Sequence, residues 1–311
     1  MVGPSTPRRA LVTGGAGFIG SHVVDAFRAR HYETLVIDNL SSGKRENVSG
    51  DLVELDIRDA DSVSRAAREF APTAVAHLAA QASVTYAVRH PDEDLLTNVL
   101  GTLNVLEAAR KAGAPVVFAS TGGALYGDDV PFPTPEDAQT RPLSPYGASK
   151  LAAEAYVGTW MRLHGIANVV LRLGNVYGPR QAPHGEAGVV AIFSERLATG
   201  LAVTVFGDGE QTRDYIHVGD VADAFVLAAE SGRPGTFNVG TGVETSVNEL
   251  LRLLQDIAAT SVEPTHEPLR AGELRRSALD ARRITDELGW PAPRPVARGL
   301  GETFRAYAAS A

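Results

Sequence analysis

Three glycines, Gly14, Gly17 and Gly20, constrain this chain more than any other feature of its sequence. They follow a short apolar run, Ala10 to Thr13, and precede Ser21 to Arg30, where apolar residues recur at helical spacing, so the segment reads as strand, tight turn and helix. In a GxxGxxG turn the absent side chains allow close approach to a pyrophosphate and close packing of helix on strand. The helix N-terminus then offers N–H groups and a positive dipole end to phosphate. Phe18 and Ile19 sit in the same turn.

The rest of the chain continues that unit. Apolar runs at Thr34–Ile37, Leu52–Leu55, Ala74–Leu78, Pro115–Ala119 and Asn168–Leu173 alternate with helical patterns at Asp61–Phe70, Asp92–Ala112 and Tyr146–His164. Such alternation predicts a Rossmann-type, doubly wound α/β fold, a parallel sheet with helices on both faces. After Asn175 the texture changes to Gly- and Pro-rich loops, a helix at Val189–Thr199 and shorter strands near Val203–Phe206 and Phe237–Val239. We therefore expect a dinucleotide-binding domain over 1–175 and a smaller α/β substrate lobe over 176–311, with part of 214–232 packed back on the first domain.

Composition excludes several classes of function. With 29 Lys and Arg against 37 Asp and Glu, the net charge is −8, which argues against a nucleic-acid or anionic-membrane surface. The absence of cysteine removes disulfides, thiolate metal sites and a cysteine nucleophile. The eight histidines form no HExxH-like cluster, so no metal is expected. No apolar stretch approaches the roughly 18–20 residues a membrane span needs, and no apolar core precedes the first strand; the expected location is the cytoplasm.

The second strand ends in Asp38, eighteen residues after Gly20, where a carboxylate can take the adenosine ribose hydroxyls and repel a 2′-phosphate. That position favours NAD over NADP. Asp56 and Ile57, at the end of the third strand, are placed to bracket the adenine ring. Tyr146 and Lys150 form a Tyr-x-x-x-Lys pair on one helix face. An ammonium beside a phenol favours the phenolate and brings a weak base toward a working range. The strand before that helix ends in Ser120 and Thr121, at the end of a parallel sheet where ligands bind; either hydroxyl can complete a Ser/Thr, Tyr, Lys triad.

Taken together, GGAGFIGSH, the Asp38-Asn39-Leu40 strand end, HLAAQ at 77–81, SPYGASK at 144–150, RLGNVYGPR at 172–180 and RDYIHVGDVA at 213–222 resemble the extended short-chain dehydrogenase/reductase family. Within it the chain is most similar to UDP-glucose 4-epimerases. The resemblance implies that Tyr146 is the base, that Lys150 binds the nicotinamide ribose, and that hydride leaves and returns to C4 of a UDP-hexose with no net redox change. It also implies NAD contacts at Leu78, Ala79, Ala80, Gln81, Asn98 and Asn39. Counting forward from Phe118 puts the catalytic hydroxyl at Thr121; counting back from Tyr126 puts it at Gly122, which has none, so Thr121 is preferred.

The same loop separates the chain from its neighbours. Related 4,6-dehydratases follow the catalytic Thr with Asp-Glu, and UDP-glucuronate decarboxylases carry a Glu in this loop, whereas here the residues are Gly122, Gly123 and Ala124. On the substrate side the resemblance implies Ser120, Gly122, Asn175, Val189, Val203 and Phe206, with Arg213 and Arg270 on the diphosphate and Glu273 near the uridine ribose. Three residues before Asp280, where a Tyr restricts such enzymes to unsubstituted hexoses, this chain has Ser277. UDP-N-acetylglucosamine and UDP-glucuronate are thus the alternative substrates, and an NAD-binding sensor or a net dehydrogenase/reductase are the alternative functions. A homodimer is expected through the helices at 92–112 and 146–164.

Overall fold

The computed structural model describes residues 7–127, 129–184, 188–268 and 274–309. In chain order the elements are β1 (Arg9–Thr13), α1 (Phe18–Ala29), β2 (Glu33–Asp38), β3 (Asp51–Glu54), α2 (Ala60–Phe70), β4 (Ala74–His77), α3 (Val84–Arg89), α4 (Pro91–Leu95), a π-helical turn (Leu96–Leu100), α5 (Gly101–Ala112), β5 (Val116–Thr121) and α6 (Pro145–His164). Then follow β6 (Val169–Leu173), β7 (Asn175–Tyr177), α7 (Val189–Ala198), β8 (Thr204–Phe206), β9 (Thr212–Arg213), β10 (Tyr215–His217), α8 (Val218–Ser231) and β11 (Gly235–Val239). The chain ends in β12 (Thr245–Ser246), α9 (Val247–Ala258), β13 (Thr265–Glu267), α10 (Arg282–Leu288) and α11 (Val296–Ala308).

Seven strands form one parallel sheet in the order β11-β6-β5-β4-β1-β2-β3. The order reverses at β1, whose neighbours are β2 and β4, and a crevice opens beyond the carboxyl ends of the strands at that switch point. Alternate residues feed two cores. Ala10, Val12, Val36 and Val117 face α1 and α8 with Phe27 and Phe225. Leu11, Ile37, Val75 and Phe118 face α2, α5 and α6 with Val63, Leu106 and Val157. This is the period-two pattern of a strand buried on both faces.

Local sequence sets the helix ends. The Ser144 side chain accepts the Gly147 N–H at the start of α6, Pro145 occupies the first turn, and Gly165 ends the helix at φ +67°. Ser246 caps α9 through the Glu249 N–H, and Asp59 caps α2 through Ser62.

A third core joins α7, α9 and α11 around Phe193, Leu197, Val205, Leu250, Leu254 and Leu300. Two elements beyond residue 175 nevertheless belong with the large sheet. β11 extends it past β6, and α8 lies against α1. The reason is burial: Phe237, Val239 and Phe225 are wholly covered only by the sheet and its α1 face. The helix expected over Asp92–Ala112 is continuous in space but wound as α4, a π turn and α5. No helix among the described residues is long and apolar enough to cross a membrane.

Candidate active site

The crevice at the switch point is a cleft of about 590 Å³. Its floor begins at Gly14, held at φ +72°, where a Cβ would stand 2.5 Å from the Ala79 nitrogen, so only glycine lets the β1 and β4 turns meet. At Gly17 a Cβ would meet little protein beyond the Gly14 carbonyl at 3.2 Å; what it would occupy is cleft. No side chain caps the N-terminus of α1, and its first turn carries no acid. Its leading N–H groups and dipole end therefore face the cleft, a cradle suited to a diphosphate.

Asp38, at the end of β2, lines the same cleft. Its Oδ2 accepts the Ala16 N–H at 3.0 Å and its Oδ1 the Leu40 N–H at 2.8 Å, tying β2 to the glycine turn. Each oxygen keeps a lone pair for a ribose hydroxyl. Phe18, Ile19, Gly20, Asn39, Asp56, Ile57, Leu78, Ala79, Ala80 and Gln81 all line the same cleft. Asn39 donates to Asp56 at 3.2 Å, and Arg58 holds the Asp56 carboxyl down at about 2. These residues fit NAD: the glycine cradle, the uncapped helix end and a carboxylate suited to a ribose all line the cleft.

Tyr146 and Lys150 line the other wall, with Ala119, Ser120 and Leu173. Lys150 is buried; its Nζ donates to the Ala119 carbonyl at 3.0 Å and lies 4.8 Å from the centre of the Phe118 ring. Burial pulls the ammonium down to about 8, against the carboxylates of Asp94 and Glu154, which raise it. Burial also pushes the Tyr146 phenol up to about 12, and Asp94 adds to the rise. In the chain alone, burial and Asp94 thus favour the protonated phenol.

The two strand-end hydroxyls separate. Ser120 is buried and donates to Glu154 Oε1 at 2.5 Å, while Glu154 takes the guanidinium of Arg172 at 2.7 Å. Arg172 also donates to the Tyr126 hydroxyl at 2.8 Å, and that hydroxyl donates to Asn238 at 3.0 Å. Thr121 turns the other way. A Cβ at Gly123 would lie 3.6 Å from Asn175 Oδ1 and 4.0 Å from Thr121 Oγ1, so Thr121 and Asn175 flank one space beside the loop. Gly122 packs against Leu279, whose Cδ1 is 2.5 Å from where its Cβ would be.

Several expected contacts are placed elsewhere. Asn98, expected at the cofactor, is buried behind the cleft with its amide spent on Gln81, Asp94 and Ser149. Val203, expected at the substrate, is 0% exposed in the α7–α9–α11 core, and its carbonyl accepts the Thr265 N–H. Its side chain packs the core rather than meeting a ligand. Val189 starts α7 and Phe206 ends β8, both half-buried. Arg213 lies on β9, where its Nη1 donates to the Thr212 carbonyl at 2.8 Å; Ser277 is buried at 6% exposure. Arg270 and Glu273 lie outside the described residues.

Sequence reasoning passed over Asp94, Ser149, Glu154 and Arg172. Glu154 was legible, since it stands four residues after Lys150 and so on the same helix face. A second groove of about 350 Å³, between α6 and strands β6 and β11, runs along the sheet face away from the strand ends.

Residues 10–240 match the model of the NAD-dependent epimerase/dehydratase family. The chain belongs to that family. It is 46% identical over 308 residues to a UDP-glucose 4-epimerase of Mycolicibacterium smegmatis, covering 96% of this chain and 98% of the relative. Among solved structures it is similar to the Thermotoga maritima UDP-glucose 4-epimerase with UDP-glucose, at 47% identity and TM-score 0.94 over 97% of this chain and 99% of that one. The Thermus thermophilus UDP-glucose 4-epimerase in complex with NAD gives 47% identity and TM-score 0.90 over 97% and 100%. The glycine turn and the Tyr-x-x-x-Lys pair of this chain fall within the matched segment.

Proposed function

We propose that this family member is an NAD-dependent UDP-glucose 4-epimerase. The observation that carries the reading is the composition of one cleft, where a dinucleotide cradle faces Tyr146 and Lys150 while the adjoining loop, Gly122-Gly123-Ala124, offers no ionisable side chain. Elimination of water from the sugar needs an acid and a base beside the reacting carbons, and this loop supplies neither. What remains is oxidation and reduction at one carbon.

NAD, when bound, supplies the acceptor and donor of hydride. Tyr146 takes the proton of the sugar O4 as that carbon is oxidised, and returns it when the 4-keto sugar is reduced on its other face. Lys150, anchored on the Ala119 carbonyl, adds a positive charge that, together with the positive nicotinamide of bound NAD, would offset the burial that keeps the phenol protonated in the chain alone. Thr121, flanked by Asn175, holds the sugar hydroxyl in line; Ser120 is committed to Glu154. We assign the nucleotide half of the substrate to segment 176–311, outside its sheet-building parts, with Arg213 and Arg270 on the diphosphate. Arginine suits that role because its planar fork meets phosphate oxygens bidentately.

The enzyme works as a homodimer in this reading. Leu95 at 55% exposure and Leu163 at 68% join Leu96, Leu100 and Tyr156 as uncovered apolar side chains on α4, the π turn and α6, which pack side by side. A cytoplasmic location matches the cofactor and nucleotide sugar it draws on. Ser277 favours one second reading, acceptance of UDP-N-acetylglucosamine, since a small residue at that position leaves volume for an acetamido group.

Incubating the protein with UDP-glucose and reading C4 stereochemistry by NMR tests the proposal. Appearance of UDP-galactose without accumulation of NADH is expected. Net NADH formation, or no inversion at C4, would overturn it.

A further inference from the structure

A buried carboxylate that the mechanism above does not use lies between β9 and β10. Asp214 is 0% exposed. Its Oδ1 accepts the Thr241 N–H at 2.7 Å and the Thr241 hydroxyl at 2.6 Å. Its Oδ2 accepts the N–H groups of Gly242 and Leu279, each at 3.0 Å. Four donors from two segments, the loop after β11 and the stretch before α10, thus converge on one side chain. There is no slack around it: a Cβ at Gly240 would stand 2.5 Å from Asp214 Oδ2 and 3.0 Å from the Leu279 Cβ.

Both borders of the space beside Gly123 lead back to this residue. On one side, Leu279 is 1% exposed, and its Cδ1 and Cδ2 stand 2.5 and 2.6 Å from where a Gly122 Cβ would be. It therefore backs the residue that follows Thr121. On the other side, the Asn175 N–H donates to the Asp214 carbonyl at 2.7 Å. Thr134 steadies the neighbours of Leu279, donating to the Ala278 carbonyl at 2.8 Å and accepting the Asp280 N–H at 2.9 Å. The N–H of Leu279 itself goes to Asp214.

We propose that Asp214 is a positioning residue for Thr121: by holding the Leu279 N–H it seats Leu279 on Gly122, and so fixes where the strand-end hydroxyl stands opposite Asn175. The proposal rests on the epimerase reading of this site. Gly122 and Gly123 bring no side chains of their own, so the loop after Thr121 takes its place from what packs on it. A carboxylate suits the anchor because both its oxygens only accept, and each can serve two donors. Precision matters here, since a misplacement of roughly 1 Å can cost ~10²-fold in rate.

The test measures kcat and KM for UDP-glucose, per bound NAD, in Asp214→Ala, Asp214→Asn and Leu279→Ala, each alone and combined with Thr121→Ala. Asp214→Ala is expected to lower kcat by ~10–10²-fold. Its KM stays near the parent value, because the Asn175 bond reaches a main-chain carbonyl and survives the substitution. Asp214→Asn restores most of the rate: its amide nitrogen turns to Thr241, whose hydroxyl can accept, and its oxygen keeps the Gly242 and Leu279 N–H groups. Leu279→Ala empties the contact on Gly122 and slows the enzyme as Asp214→Ala does. In the Thr121→Ala background both losses vanish, since no hydroxyl is left to misplace, whereas a general loss of structure would multiply with it. Losses that multiply, a slow Asp214→Asn enzyme, or a Leu279→Ala enzyme at the parent rate would each overturn the proposal. The last two results decide even where Asp214→Ala does not fold. A parent enzyme that inverts no UDP-glucose overturns the epimerase reading itself, which sets that failure apart from this one.

Discussion

Lys150 Nζ donates to the carbonyl oxygen of Ala119 at 3.0 Å, which pins helix α6 to the end of β5. The bond fixes the ammonium where the strand delivers Ser120 and Thr121, so the two halves of the proposed triad share one anchor. It also satisfies one donor of a charge that burial would otherwise leave unsupported.

Removing the phenolic oxygen isolates its chemical role. Tyr146→Phe keeps the ring against the cleft wall, and we expect turnover to fall by ~10²–10⁴-fold, the usual contribution of a positioned acid–base group. NAD content after purification stays near the parent level. Measured kcat within a factor of a few of the parent would rule out Tyr146 as the base.

The strand-end hydroxyls are expected to fail differently. Thr121→Ala lowers kcat with stability unchanged, because Thr121 is only part-buried and its Oγ1, like Asn175 Oδ1, borders the space beside Gly123. Ser120→Ala removes a buried hydrogen bond to Glu154 and costs ~1 kcal/mol of stability, read by urea unfolding. A Ser120→Ala enzyme that is fully stable but slow would reverse the assignment.

Arg172→Leu tests the ion pair beneath the site. Arg172 and Glu154 side chains are 9% and 7% exposed, so deleting the guanidinium strands a carboxylate in the interior and is expected to cost ~3–5 kcal/mol. Replacing both members, as Arg172→Met with Glu154→Leu, recovers part of that loss. Equal stability of the single and double variants would contradict the account.

Acid should weaken the fold through its buried histidines. The His77 imidazole lies between Thr13 Oγ1 at 2.6 Å and Thr102 Oγ1 at 2.9 Å, and burial holds its pKa at about 3. An unfolded histidine titrates near 6.5. The folded value lies below the unfolded one, so the stabilisation is complete above about pH 6.5 and is lost as pH falls from there toward 3. The expected slope is about 1.4 kcal/mol per pH unit for each such group. His217, held at about 4 by burial and Arg294, adds to it. Unfolding free energies measured from pH 7 to 5 should show this slope reduced in His77→Gln; an unchanged slope would refute the assignment.

The sequence by itself determined the alternating strands and helices of the sheet and pointed to the residues that line its cleft. Strand and helix patterns are local and repeat every two or 3.6 residues, and Gly14, Asp38, Tyr146 and Lys150 announce their chemistry by type and spacing. Tertiary structure alone decided what no local pattern encodes. It brought β11 and α8 back to the first sheet, because Phe237 and Phe225 find full burial only there. It buried the side chains of Asn98 and Val203, one in hydrogen bonds and the other in apolar packing. It also buried the Asp94 carboxylate against the side-chain amides of Gln81 and Asn98, contacts of which the sequence carries no sign.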